Sequence, residues 1–115
     1  MKKFHLSFVQ GRLSEKVGTN FQHFPINNWQ NELKVAKKIG IKSIEWIISD
    51  TSNPIFNDIS IFEISKLLKK NNLKISSISL DLMMAKPFYE WNKTDLEWVV
   101  KNINKSLKKF NINRL

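Results

Sequence analysis

The stretch KKIGIKSIEWII (Lys37–Ile48) holds the end of one element and the whole of the next. Its first half closes a helical pattern: two lysines, then Ile39, then Gly40. Its second half alternates, with Ile44, Trp46 and Ile48 on one side and Ser43 and Glu45 on the other, which is the period of a strand. The join recurs. KKNNLKIS begins at Lys69 and KKFNINRL at Lys108, and in each a lysine pair is followed two residues on by Asn72 or Asn111 and then by an apolar residue. Glycine adopts a left-handed backbone freely and asparagine tolerates it, so Gly40, Asn72 and Asn111 are expected to end three helices and turn the chain back toward a sheet.

Working outward gives three strand–loop–helix units. The first strand is expected at Phe4–Val9, with Phe4, Leu6 and Phe8 on one face and His5, Ser7 and Val9 on the other. A long loop, Gln10–Asn28, leads to a helix over Trp29–Ile39 with Asn28 as its N-cap and a stripe of Trp29, Leu33, Ala36 and Ile39. The second strand covers Ser43–Ile48. The second helix begins at Ser60, where Ser60 and Glu63 spell a capping box, and carries Ile61, Ile64, Leu67 and Leu68. The third strand covers about Ile75–Leu80. Thr94 and Glu97 spell another box ahead of a helix with Leu96, Val99, Val100, Ile103, Leu107 and Phe110.

Such βαβαβα order makes a parallel α/β sheet with right-handed crossovers. A sheet with helices on both sides needs strands that are apolar on both faces. Here Ser43, Glu45, Ser77 and Ser79 make one face polar. That predicts a barrel wall, with helices outside and a cavity within. The expected fold is therefore parallel (β/α) units of a TIM barrel, three of about eight plus the start of a fourth strand, with residues 1–115 as its N-terminal part.

Composition narrows the function. The chain has 115 residues, 42% of them hydrophobic and 25% charged, which suits an ordinary globular domain and argues against disorder. It has no cysteine, which removes disulfides and thiolate metal sites. No apolar run reaches the roughly 20 residues of a membrane span, and the N-terminus reads as a strand and not a signal peptide, so no membrane partner and a cytoplasmic location are expected. The net charge of +9 suggests nucleic acid. Nine of the seventeen lysines (Lys34, Lys37, Lys38, Lys66, Lys69, Lys70, Lys105, Lys108 and Lys109) fall in the last turns of the three helices, however, where they offset the helix dipole. Arg12 and Arg114 are the only arginines. No nucleic-acid partner is expected.

In a parallel barrel, chemistry gathers at the C-terminal ends of the strands. Glu45 is the most informative residue there. A carboxylate between Ile44 and Trp46 must face a cavity, a cation or a hydroxylated ligand, because burying it unpaired costs several kcal/mol or more. Glu45 is the candidate catalytic residue. Gln10, Arg12, Gln22 and Asp81 are the candidate substrate-binding residues, with Arg12 suited to a carboxylate or phosphate fork. His23, Asp50 and Asn53 lie at the same end. His5, at the start of a strand, is read as structural. The long first loop has the character of a lid. A sugar could stack on one of the four tryptophans.

Residues 9–56 resemble the opening of the sugar phosphate isomerase/epimerase group of the xylose isomerase-like barrel superfamily. The likeness is carried by Gly11-Arg12-Leu13-Ser14, Phe21-Gln22, Phe24-Pro25, Trp29, Glu32-Leu33, Ala36, Gly40, Ile44-Glu45-Trp46 and Asn53-Pro54. It implies an eight-stranded barrel that moves a proton beside a sugar carbonyl through an enediolate. It also implies a divalent metal (Mn, Mg, Co or Zn) held by acidic residues and histidine from strands of the second half. Glu45 matches the family's glutamate on the second strand, and no metal ligand carries over to this chain. The partner implied is a small sugar or sugar phosphate. Leu115 falls where a fourth strand would begin, and the repeat spacing extrapolates to a parent near the ~250 residues typical of such barrels. The expectation is thus an N-terminal fragment, inactive and without tight metal binding by itself, that self-associates through open sheet edges. The alternatives are an abasic-site endonuclease of the same superfamily, whose histidine ligands IEWIISD and SISLDLMMAK lack, and a non-catalytic partial barrel.

Overall fold

The computed structural model describes residues 6–15 and 23–115. Three parallel strands, β1 (Ser7–Val9), β2 (Ser43–Ile47) and β3 (Lys74–Ser79), lie in the order β1-β2-β3. Helix α1 (Trp29–Ile39) joins β1 to β2, and α2 (Asp58–Lys70) joins β2 to β3. A one-turn helix, α3 (Leu82–Ala85), and a long helix, α4 (Lys93–Lys109), follow β3. Adjacent parallel strands joined by right-handed crossovers place their helices on one side of the sheet. The core lies there, built from Phe8, Ile44, Trp46, Ile48, Ile75 and Ile78 of the sheet and Leu33, Ala36, Ile64, Leu68, Val99 and Ile103 of the helices.

The three helix stops are one device used three times. Gly40 has φ 85°, Asn72 φ 52° and Asn111 φ 53°. The next residue's N–H reaches back five positions in each case: Ile41 to Ala36 (2.9 Å), Leu73 to Leu68 (2.9 Å) and Ile112 to Leu107 (2.8 Å). The left-handed residue itself bonds three back, to Lys37, Lys69 or Lys108. This is the Schellman arrangement, in which the apolar residue after the turn packs on the helix it has just left. Ile41, Leu73 and Ile112 all join the core. The lysine pairs occupy the last turns, at the negative ends of the dipoles. After the third stop the chain returns to the edge of β3, where the Arg114 carbonyl accepts from Ile78 N–H at 3.1 Å.

Several expectations need correction. The second helix starts at Asp58, not Ser60: the Asn57 side chain caps it by accepting from Ser60 N–H at 3.0 Å. The third starts at Lys93, where Asn92 accepts from Asp95 N–H at 2.8 Å. In both an asparagine just ahead of the expected box takes the cap. Asn28 occupies the N-cap position of α1 without a capping bond and donates to Ser14 Oγ instead. Ile39 and Val100, expected on apolar stripes, are exposed, and so is Leu6, just before β1. Phe4 and His5 lie outside the described residues.

In β3 the partners run Ile44↔Ile75, then Glu45↔Ser77, which leaves Ser76 as an extra residue. This bulge explains how Ile75 and Ile78, three apart, both face the core. Ser76 Oγ donates to the Ile44 carbonyl at 3.3 Å across the irregularity. Among the described residues no helix is long and apolar enough to cross a membrane.

Gly40 offers a clean test of the helix stop, since a Cβ there would meet nothing within 4 Å. Gly40→Ala should cost about 1–2 kcal/mol, from backbone strain alone. Asn72→Gly should be neutral or slightly stabilising. Urea denaturation of both variants measures this, and equal loss in the two would remove the left-handed turn as the cause.

Candidate functional site

The phase of β2 decides where its carboxylate lies. Trp46 is fully buried on the helix side, its indole 5.5 Å from the ring of Phe24 and 5.9 Å from that of Trp29. Its Nε1–H donates to Asn53 Oδ1 at 3.0 Å. Asn53 is itself buried, accepts from Ile55 N–H (3.0 Å) on the same oxygen, and donates to the Ile47 carbonyl at 2.8 Å. This one amide fixes the indole, the end of β2 and the start of the next loop. Successive strand residues point to opposite faces, so Glu45 lies on the face away from the helices.

There Glu45 sits between Val9 of β1 and Ser77 of β3. It is half-buried, and its carboxylate has no hydrogen-bond or ion-pair partner among the described residues. Val9, Ser76, Ser77 and Ser79 are also half-buried and Ser7 is exposed. Ser7 Oγ and Ser76 Oγ come within 3.4 Å. The face closes at its C-terminal end with Ile47, which is fully buried yet outside the main apolar cluster.

Gln10 ends β1. Its backbone N–H bonds to the Glu45 carbonyl (3.0 Å), and its side-chain Oε1 accepts from Ile47 N–H at 3.1 Å. The side chain thus continues the ladder where the β1 backbone turns away. It is fully buried, and its Nε2 makes no hydrogen bond among the described residues. Gln10 and Glu45 are therefore ladder neighbours. Asp81 lies just beyond β3, where its Oδ1 accepts from Ser79 Oγ at 2.6 Å. Arg12 stands exposed in the turn after β1. Gln22 lies outside the described residues. Asp50 accepts from the backbone and hydroxyl of Ser52, which folds its own loop.

Sequence reasoning missed the residue that holds the first loop. Glu32, in the first turn of α1, is fully buried. Its carboxylate accepts from Gly11 N–H (3.0 and 2.9 Å to the two oxygens), Leu13 N–H (3.2 Å) and Ser14 Oγ (3.0 Å). Ser14 Oγ in turn accepts from Asn28 Nδ2 at 2.9 Å. Gly11 is required here: φ is 94°, and a Cβ would stand 2.7 Å from the His23 carbonyl oxygen. Phe24 N–H donates to Ser49 Oγ at 2.9 Å. Both ends of the long loop are thus pinned, one to α1 and one to the segment just after β2. The available signal was position: Glu32 falls on the Trp29–Leu33–Ala36 stripe, where a carboxylate must find donors.

At the same end of the sheet, Thr51, Lys86, Trp91, Asp95 and Trp98 line a cleft of about 400 Å³. Trp91 is held in place, with Nε1–H donating to the Lys86 carbonyl at 2.6 Å and the Lys86 ammonium 5.5 Å from its ring centre. Among the described residues no three His, Asp or Glu side chains come together as a metal site requires. The resemblance takes its metal ligands from later strands of a barrel, and the chemistry drawn below is that of the side chains of this chain.

Burial raises the Glu32 pKa, and the bonds from Gly11, Ser14 and Leu13 only partly oppose this. A carboxyl whose folded pKa lies above its unfolded value stabilises most below the unfolded value. That contribution is lost as pH rises through the folded one. Stability of the wild type relative to Glu32→Gln should therefore fall as pH rises from about 4.5. Glu32→Ala, which orphans the loop donors, should be less stable than Glu32→Gln by about 1–3 kcal/mol at every pH, because neither variant titrates there. Denaturant titrations across that range measure both, and a pH-independent difference between wild type and Glu32→Gln would contradict the assignment.

No protein-family model matches the chain, and no curated protein and no solved structure matches it.

Proposed function

We propose that the chain forms consecutive (β/α) units of a parallel barrel wall and that Glu45 is the proton-transfer group of a sugar or sugar phosphate isomerase or epimerase. The observation that carries this reading is Glu45 itself. A half-buried carboxylate in mid-strand, on the sheet face away from the helices, has no partner among the described residues. A structural ion pair with a neighbouring strand would be the ordinary reason for such a residue, and its neighbours are Val9 and Ser77.

A carboxylate so placed suits general-base catalysis. It takes the proton from the hydroxyl-bearing carbon beside a carbonyl, and the freed electron pair forms the double bond of an enediolate. Return of the proton to the adjacent carbon, with the hydroxyl proton passing to the former carbonyl oxygen so that the old hydroxyl becomes the new carbonyl, completes isomerisation. Return to the opposite face of the same carbon completes epimerisation. Ser77 and Ser79 offer hydroxyls on the same face, suited to a polyhydroxylated substrate. Gln10 acts as a positioning residue through its bond to Ile47. Asp81 is placed to accept from a substrate hydroxyl, and the exposed Arg12 to hold a phosphate or carboxylate. The Glu32 clamp keeps the Arg12 turn in place. A strand order of β1-β2-β3 with one polar face fits a barrel wall, which needs about eight strands to close.

The test is isotope exchange. The protein as its gene encodes it, incubated in D2O with aldoses, ketoses and their phosphates, should place deuterium on the carbon beside the carbonyl. Glu45→Gln should slow that exchange about 100-fold or more, within the range ascribed to acid–base groups, with unchanged thermal melting. Exchange undiminished in Glu45→Gln, or absent with every sugar, would contradict the proposal.

A further inference from the structure

Two of the four tryptophans, Trp29 and Trp46, belong to the core. The other two meet at one cleft. Trp91, from the segment ahead of α4, and Trp98, from α4 itself, line a space of about 400 Å³ together with Thr51, Lys86 and Asp95. That volume falls in the roughly 300–1,000 Å³ range of small-molecule sites. Both indoles are set in place by the fold. Trp91 Nε1–H donates to the Lys86 carbonyl at 2.6 Å, and the Phe88 ring meets the indole edge-on, with centres 6.0 Å apart. Trp98 leans on Phe56 with ring centres 5.1 Å apart and is still 44% exposed. Rings ordered by folding lose little further freedom when a ligand arrives.

The lining selects its ligand by what it excludes. The Lys86 ammonium stands 5.5 Å from the Trp91 ring centre and already holds the place a cationic ligand would take. The Asp95 carboxylate would repel an anion. Neither side chain has an ion pair among the described residues. Asp95 accepts from Asn92 Nδ2 at 2.9 Å, which leaves a carboxylate with lone pairs to spare. A wholly apolar ligand would strip water from Lys86, Asp95 and Thr51 and give them no partner. The charges next along the chain add no dominant sign. Lys93 and Glu97 pair with each other at 3.9 Å, Asp50 is bonded to Ser52, and Glu90 and Lys101 are of opposite sign. What fits is a neutral ligand with an apolar face and a rim of hydroxyls. A sugar ring is made that way. Its C–H bonds present a slightly positive face to the negative face of an indole. Its hydroxyls donate to a carboxylate, accept from an ammonium and do both with a threonine.

We infer that this cleft binds a single neutral sugar ring, stacked on the indoles of Trp91 and Trp98, with hydroxyls that donate to Asp95 and accept from Lys86 and Thr51. The site is separate from the chemistry at Glu45. Helix α4 sends Val99 and Ile103 into the core and so lies on the helix side of the sheet, while Glu45 is on the face away from the helices. The cleft also asks for no carbonyl in its ligand.

The probes are the methyl glycosides of glucose, galactose, mannose and xylose, which have no free carbonyl and cannot serve as substrates for the proton transfer proposed at Glu45. The indole N–H signals of the four tryptophans in a nitrogen–proton correlation spectrum, assigned with Trp91→Phe and Trp98→Phe, report where they bind. At millimolar concentration at least one glycoside should shift the Trp91 and Trp98 signals and leave those of Trp29 and Trp46 in place. Asp95→Asn should weaken that binding about tenfold, as expected for a hydrogen bond that loses its charge. Asp95 is exposed, so thermal melting should hardly change, which separates lost binding from lost folding. Signals of Trp91 and Trp98 unmoved by every glycoside, or equal affinity in Asp95→Asn, would overturn the inference. So would larger shifts of those two signals with inorganic phosphate or with choline, which would make the cleft an anion or a cation site. Glycoside binding here would stand whether or not Glu45 exchanges deuterium, so the two readings fail separately.

Discussion

Trp46 has room on only one side of its strand. Its indole is wedged between Phe24 and Trp29, and its N–H is taken by an asparagine that also holds the end of the strand and the following turn. Losing such an aromatic typically costs about 3–5 kcal/mol, before counting the polar groups stranded around Asn53. A slip of one residue in β2 would bury Glu45 among the helices and expose the indole, so the register is strongly specified. From that one contact follow the polarity of each sheet face, the exposure of the carboxylate, and the route of the loop that carries Asp50 and Asn53.

The same economy appears at the other ends of the helices. Gly40, Asn72 and Asn111 each stop a helix with the same pair of backward hydrogen bonds, and each sends an apolar residue into the core before the chain reaches the sheet. The units are therefore interchangeable at their helix–strand joins and individual at their strand–helix loops. The first loop is pinned by Glu32 and Ser49, the second by Asn53, and the third by α3 and the Trp91–Lys86 contact. Variation is concentrated at the end of the sheet where a parallel α/β domain places its chemistry.

Most of the frame was legible because it rests on local periodicity. The lysine–lysine–x–Gly/Asn–apolar pattern specifies a backbone turn whose energetics depend on a few neighbouring residues. The alternation of SIEWII gave the phase of β2, and the structure keeps it. What escaped the sequence depends on distant partners. Glu32 falls on the apolar stripe of α1, but that position does not name its partners, Gly11, Leu13 and Ser14, which the loop after β1 brings to it. Gln10 proved to be a side-chain extension of the ladder, which no local pattern announces. Asn57 and Asn92 displaced the expected serine and threonine caps, although an asparagine is an equally good cap and stood ahead of both. The bulge at Ser76 left a trace in the odd spacing of Ile75 and Ile78.

The central claim is that the sheet has one face sealed by helices and one face open to small molecules, with Glu45 on the open side. The chain contains no cysteine, so single thiols can report on each face without background. Thiol labelling of Glu45→Cys and Ser77→Cys, compared with Ile44→Cys and Ile78→Cys, measures access directly. The account predicts rapid labelling of the first pair under native conditions. The second pair should label only through unfolding, because Ile44 and Ile78 are fully buried. Protection of the Glu45→Cys thiol equal to that of the Ile44→Cys thiol would contradict it.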